Sequence, residues 1–176
     1  KKQPLPATGG ASQPNLPKAT KALPHAMWVW DARLVTDGVA RNRLLAFSRK
    51  HGIGVRYLSA YDLRPPMDQH YRQFNRLAHR EGMRVYALAG DPRWGKPQYH
   101  RVPLEWCESV RSLNAAAPQE ERFDGIHTDV EVYLLSKTWK EHPEILLGGY
   151  LDLNAKMAKL AKQSPPMEFG VDIPFW

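Results

Sequence analysis

Five short apolar runs alternate with four amphipathic stretches, and this alternation limits the folds open to the chain more than any other feature. The runs are "AMWVW" (26–30), "GVRYLSAY" (54–61), "MRVYALAG" (83–90), "FDGIHTDVEVY" (123–133) and "MEFGVDIPFW" (167–176). Their β-branched and aromatic content predicts strands. Between them lie helical patterns. "GVARNRLLAFSRKHG" groups Val39, Leu44, Leu45, Phe47 and Ser48 before a stop at Gly52. "MDQHYRQFNRLAHREG" spaces Tyr71, Phe74, Leu77 and Ala78 by three and four and closes at Gly82. "VPLEWCESVRSLNAAA" opens with Pro103, suited to a first helical turn. "EILLGGYLDLNAKMAKLAKQ" is expected to bury Leu147, Tyr150, Leu151, Asn154, Met157 and Leu160.

The order β-α-β-α-β-α-β-α-β predicts an α/β fold with a parallel sheet and right-handed crossovers. No G-x-G-x-x-G or phosphate-loop pattern follows a strand, which disfavours a nucleotide-binding doubly wound sheet. The acids point further. Strands one to four end at or beside Asp31, Asp62, Asp91 and the Asp129/Glu131 pair, and the fifth carries Asp172. In a (β/α)8 TIM barrel all strand carboxyl ends ring one mouth, where chemistry sits. Asp after a strand is also a turn former or helix cap, an explanation that serves Asp31, Asp62 and Asp91 better than the acids inside the fourth run. The expected fold is thus a TIM-barrel type of which about the first five βα units are present. A full barrel usually takes about 250 residues. The start at Lys1 and the strand-like end at "DIPFW" fit a fragment truncated at both ends.

Residues 1–25 hold five of the fifteen prolines and two of the twelve glycines, with Lys1, Lys2, Lys18 and Lys21 and no acid. They are expected to form a flexible leader or linker ahead of a domain at 26–176, and suit an extracytoplasmic or secreted protein. That leader supplies +4 of the net charge of +7; the other 151 residues carry 21 basic and 18 acidic side chains. A basic tail on a balanced domain argues against a specific nucleic-acid partner. No run of about 18 apolar residues predicts a membrane span. The single cysteine, Cys107, sits in a helical pattern and reads as a packing residue. No cofactor or metal is expected.

In the fourth run, side chains alternate between faces. Phe123, Gly125, His127, Asp129, Glu131 and Tyr133 share one side; Asp124, Ile126, Thr128, Val130 and Val132 share the other. Neighbouring carboxylates on one face drive their proton affinities apart, so that one keeps its proton near neutral pH. The segment "DGIHTDVE" resembles the fourth-strand signature D-x-x-D-x-D-x-E of chitinase-like glycoside hydrolases of family 18, matched at Asp124, Gly125, Ile126, Asp129 and Glu131. His127 stands where that family has its middle aspartate, and Val130 where an aromatic is common. The resemblance implies a (β/α)8 barrel acting on N-acetylglucosamine polymers. It implies Glu131 as the acid protonating the glycosidic oxygen, and Asp129 as its partner orienting the substrate's acetamide.

Aromatic rings stack on sugar rings, and Trp28, Trp30, Tyr61, Trp94, Tyr99, Tyr133 and Trp176 lie in or near the strand runs. Trp28 and Trp30 are expected in the core. Trp94, in the loop "GDPRWGKPQYH" with Arg93 and Tyr99, is expected to bind ligand. The predicted substrate-binding set is Asp31, Asp91, Trp94, His127, Tyr133, Asp172 and Trp176. The predicted partner is a carbohydrate polymer or oligosaccharide. Two alternatives stand beside hydrolysis. One is a non-catalytic carbohydrate-binding barrel, in which His127 has broken the charge relay. The other is a metal-dependent hydrolase using His127, Asp129 and Glu131, although alternate residues on one strand span too far to meet a single ion comfortably.

Overall fold

A computed structural model describes residues 25–173; the leader up to residue 24 and Trp176 lie outside the described residues. The element order is β1 (His25–Val29), α1 (Arg33–Thr36), α2 (Gly38–Lys50), β2 (Ile53–Ser59), α3 (Met67–Arg80), β3 (Arg84–Ala89), α4 (Arg101–Ala116), β4 (Gly125–Thr128), α5 (Ser136–Glu141), α6 (Pro143–Ala161) and β5 (Glu168–Val171). All five strands are parallel, in the spatial order β1-β2-β3-β4-β5. The order never reverses, so it has no switch point of the doubly wound kind, and the helices pack on one face.

That face is the core. Val29, Leu58, Val85, Ala87, Ala89 and Ile126 of the strands meet Tyr71, Phe74 and Ala78 of α3, Trp106, Cys107 and Val110 of α4, and Leu146, Leu153 and Met157 of α6. Asp37 starts α2 by accepting hydrogen bonds from Val39 N and Ala40 N at 2.7 and 2.8 Å. The stop signals Gly52 and Gly82 adopt φ of +65° and +71°. The α6 stripe departs from expectation. Leu147 and Leu151 are exposed, and the buried row is Leu146, Tyr150, Leu153 and Met157. The helix is apolar around much of its girth, so periodicity alone left its rotation open by about one residue. On α2 likewise, Leu45 and Ser48 are buried while Val39 and Phe47 are exposed.

The opposite face is concave. Trp28 on β1 and Asp172 just past β5 belong to the two outer strands, four strand spacings or about 19 Å apart in a flat sheet. Yet Trp28 Nε1 donates to Asp172 Oδ2 at 3.1 Å, so the sheet arches strongly around this face. Trp28 (46% exposed) and Trp30 (48%) lie on it and not in the core. The alternation of β1 directs Met27 and Val29 to the helices and sends both indoles the other way. No helix among the described residues is long and apolar enough to cross a membrane.

Candidate active site

The fourth strand is shorter than its sequence suggests. It ends at Thr128, and Val132–Leu134 form a turn of 3-10 helix. Two clamps place its start. Asn114 of α4 donates from Nδ2 to Phe123 O and accepts Phe123 N–H at Oδ1, both at 2.9 Å. Asp124 Oδ2 accepts from Val85 N at 2.7 Å and lies 3.0 Å from His79 Nε2. Gly125 is needed because the Tyr86 ring crosses it to donate to Glu168 Oε2 at 2.6 Å; a Cβ there would stand 2.6 Å from that ring.

Past the strand, Asp129 N still donates to Ala89 O at 3.1 Å, and Asp172 N to Thr128 O at 2.9 Å. The β4–β5 register pairs His127 with Gly170 and Thr128 with Val171. Continued by one residue, it sets Asp129 opposite Asp172, on adjacent strands about 4.8 Å apart. Gly90 presses against the Asp129 backbone: a Cβ there would lie 1.9 Å from its carbonyl oxygen. Tyr61 locks Gly90 by donating to its carbonyl at 2.6 Å and accepting its N–H at 2.8 Å. Val130 and Val132 enter the core, which leaves Glu131 and Tyr133 facing away from it. The Tyr133 hydroxyl donates to Glu131 Oε1.

His127 is 7% exposed. Its ring stacks on Tyr57 at 3.9 Å between centroids, inclined by 22°. Nε2 sits 3.1 Å from Asp172 Oδ1, within ion-pair distance, but without the alignment of a hydrogen bond. The cluster therefore sets Asp172 against the imidazole of His127 and brings Asp129 within electrostatic reach of Asp172, Glu131 and His127. Burial pushes the Asp129 carboxyl up to about 6, and the charges of Asp172 and Glu131 add to the rise against the opposing pull of His127.

The other predicted site residues fall elsewhere. Trp94, expected to bind ligand, is instead buried in the core: it is 6% exposed and its ring lies 6.3 Å from that of Trp106. Its loop folds as short 3-10 turns that tuck the indole under α6. Asp31 and Asp91 act as turn clasps. Asp31 accepts Arg33 N and grips the Arg33 guanidinium at 2.8 Å; Asp91 does the same with Arg93. Asp62 and Arg64 repeat the motif, and the Arg64 hydrogen bonds hold the Asp62 carboxyl down to about 2. The signal is legible in the sequence as Asp-x-Arg after each of the first three strands, "DAR", "DLR" and "DPR". The parts missed by sequence reasoning are Tyr57, under His127, and the reach of Trp28 to Asp172.

Among the described residues no group of three His, Cys, Asp or Glu side chains converges as a metal site, so a metal hydrolase built on His127, Asp129 and Glu131 lacks a ligand set. A groove of about 770 Å³ between the β2–α3 connection and α4, lined by Tyr61, Asp62, Arg64 and Trp106, shares no residue with the acid cluster. Comparison with family models, curated proteins and solved structures finds no match for the chain.

Proposed function

We propose that this domain is a glycoside-hydrolase-like unit of (β/α)8 type that acts on a carbohydrate polymer or oligosaccharide. The observation that carries the reading is the acid cluster at the carboxyl end of β4 and β5, with Asp129 holding its proton to about pH 6. A solvated aspartate has no such proton to give near neutrality. The sequential, unreversed strand order and the arched sheet support the barrel type. Trp28, half-exposed and bonded to Asp172, offers a flat apolar face beside the carboxyls, a surface suited to a pyranose ring. The Pro-rich, acid-free leader composition supports an extracytoplasmic setting.

In this reading Glu131 is the general acid. It gives a proton to the glycosidic oxygen as the anomeric carbon–oxygen bond breaks. Asp129 is its partner and proton reserve. Its carboxylate, once ionised, faces the positive charge that develops at the sugar ring. Water adds to the anomeric carbon and its proton restores the pair.

The test is a polysaccharide hydrolysis screen of the wild type, Glu131→Gln and Asp129→Asn. Each substitution is expected to lower turnover by about 10²- to 10⁴-fold, and the wild-type rate is expected to decline above about pH 6 as Asp129 ionises. Undiminished hydrolysis in both variants rules the assignment out. The buried His127 in place of a carboxylate favours a second reading, a carbohydrate-binding barrel without turnover. It predicts sugar binding by the wild type and by both variants with no hydrolysis in any.

A further inference from the structure

β4 presents the buried imidazole of His127, and a carboxylate from just past another strand stands beside it. Asp172 has one oxygen 3.1 Å from His127 Nε2 and the other bonded to Trp28 Nε1 at 3.1 Å. Its own backbone is held on both sides: its N–H donates to Thr128 O at 2.9 Å, and its carbonyl accepts the Tyr150 hydroxyl at 3.0 Å. His127 has little freedom to turn away. Tyr57 stacks on its ring, and a side chain at position 170 would stand 2.7 Å from Nδ1. The Nε2 edge is thus buried, unaligned with any acceptor, and turned toward the same carboxyl cluster as Asp129.

We propose that Asp172 is the positioning residue of this site: from just past β5 it sets a carboxylate against the buried Nε2 edge of His127 and opposite Asp129, orienting the imidazole and coupling electrostatically to the Asp129 carboxyl. The proposal deepens the glycosidase reading and rests on it for its catalytic meaning, while the electrostatic coupling stands on geometry alone. Two like-charged groups set opposite each other on adjacent strands resist joint ionisation. The groups facing Asp129 are His127, Glu131 and Tyr133 from its own segment, Asp172 from β5, Tyr61 beyond β2 and Tyr150 from α6. Among the described residues no Lys or Arg acts on Asp129, so burial, Asp172 and Glu131 raise its carboxyl against the pull of His127.

The experiment follows the carboxyl carbon of Asp129 by NMR across pH 3 to 9 in the wild type and in Asp172→Asn. Asparagine keeps an acceptor for Trp28 and removes the charge. The midpoint of Asp129 is expected to fall by about one pH unit in Asp172→Asn, and the basic limb of any turnover profile to move with it. His127→Gln is expected to move the Asp129 midpoint the other way. Asp172→Glu, which keeps the charge, is expected to leave the Asp129 midpoint raised and tests the coupling even if Asp172→Asn does not fold. An Asp129 midpoint unmoved in folded Asp172→Asn, or lowered in Asp172→Glu, overturns the proposal. If the midpoints shift as expected and no saccharide is turned over, the coupling stands and the glycosidase reading falls.

Discussion

The two ends of the sheet use the same chemical groups to opposite effect. At the amino end Asp124, Glu168, Arg84, His79 and Tyr86 form a paired network: Arg84 reaches Glu168 at 2.5 Å and Asp124 at 3.7 Å, and His79 reaches Asp124 at 3.0 Å. Burial drives the Asp124 carboxyl up, but the His79 and Val85 hydrogen bonds outweigh it and hold it below the usual range. The Tyr86 and Arg84 hydrogen bonds lower Glu168 likewise. At the carboxyl end burial, with the like charges of Asp172 and Glu131 and against the pull of His127, pushes Asp129 up to about 6. Acids with matched partners hold the strands together. Acids left in surplus keep protons, and a poised proton is what catalysis uses.

The contrast can be broken most forcefully at the paired end. Asp124→Ala strands the Val85 N–H, His79 and Arg84, and is expected to cost about 2–4 kcal/mol in calorimetric unfolding while leaving the proposed saccharide binding intact. A loss of binding without a loss of stability would place Asp124 in the site. A smaller effect of opposite sign is expected at the surplus end. With its folded-state pKa raised above the ordinary 3.8, Asp129 favours the native state most at low pH and loses that contribution as pH climbs toward about 6. Asp129→Asn removes this dependence and is expected to stabilise the fold at pH 7 by about 1 kcal/mol, discounted for its partial exposure. A destabilised variant contradicts the surplus-charge account.

The smallest expected effect is a pH slope at the amino end. The hydrogen bond to Asp124 raises His79 above 6.5, so its stabilisation is complete below that value and is lost as pH rises through the folded-state value. Asp124, depressed, loses its share only as pH falls below the carboxylate range. The stability gap between wild type and His79→Gln is expected to shrink between pH 6 and 8, by about 1 kcal/mol at most. A constant gap shows that the charge of His79 is not involved.

Much of this contrast was written in the chain. The βα order, the helix stops at Gly52 and Gly82, and the same-face grouping of His127 and Asp129 follow from period-2 and period-3.6 patterning, which each segment carries locally. The strand is shorter than its run of alternating residues: it ends at Thr128, and although Val130 and Val132 enter the core as the alternation predicts, Glu131 caps, and Tyr133 lies in, a 3-10 turn and not a strand. Trp94 misled: a Gly/Pro-rich loop reads as surface, but its short turns fold the indole inward against Trp106.

What the sequence determined by itself is the set of elements and the acids at their ends, because hydrophobic period and turn chemistry act between residues near in the chain. Which acids meet was decided by the tertiary structure. Trp28 and Asp172 are 144 positions apart, and no local pattern records that the sheet arches until they touch. The same curvature and register bring a fifth-strand carboxylate to a fourth-strand histidine, because the proton affinity of a group depends on its neighbours in space.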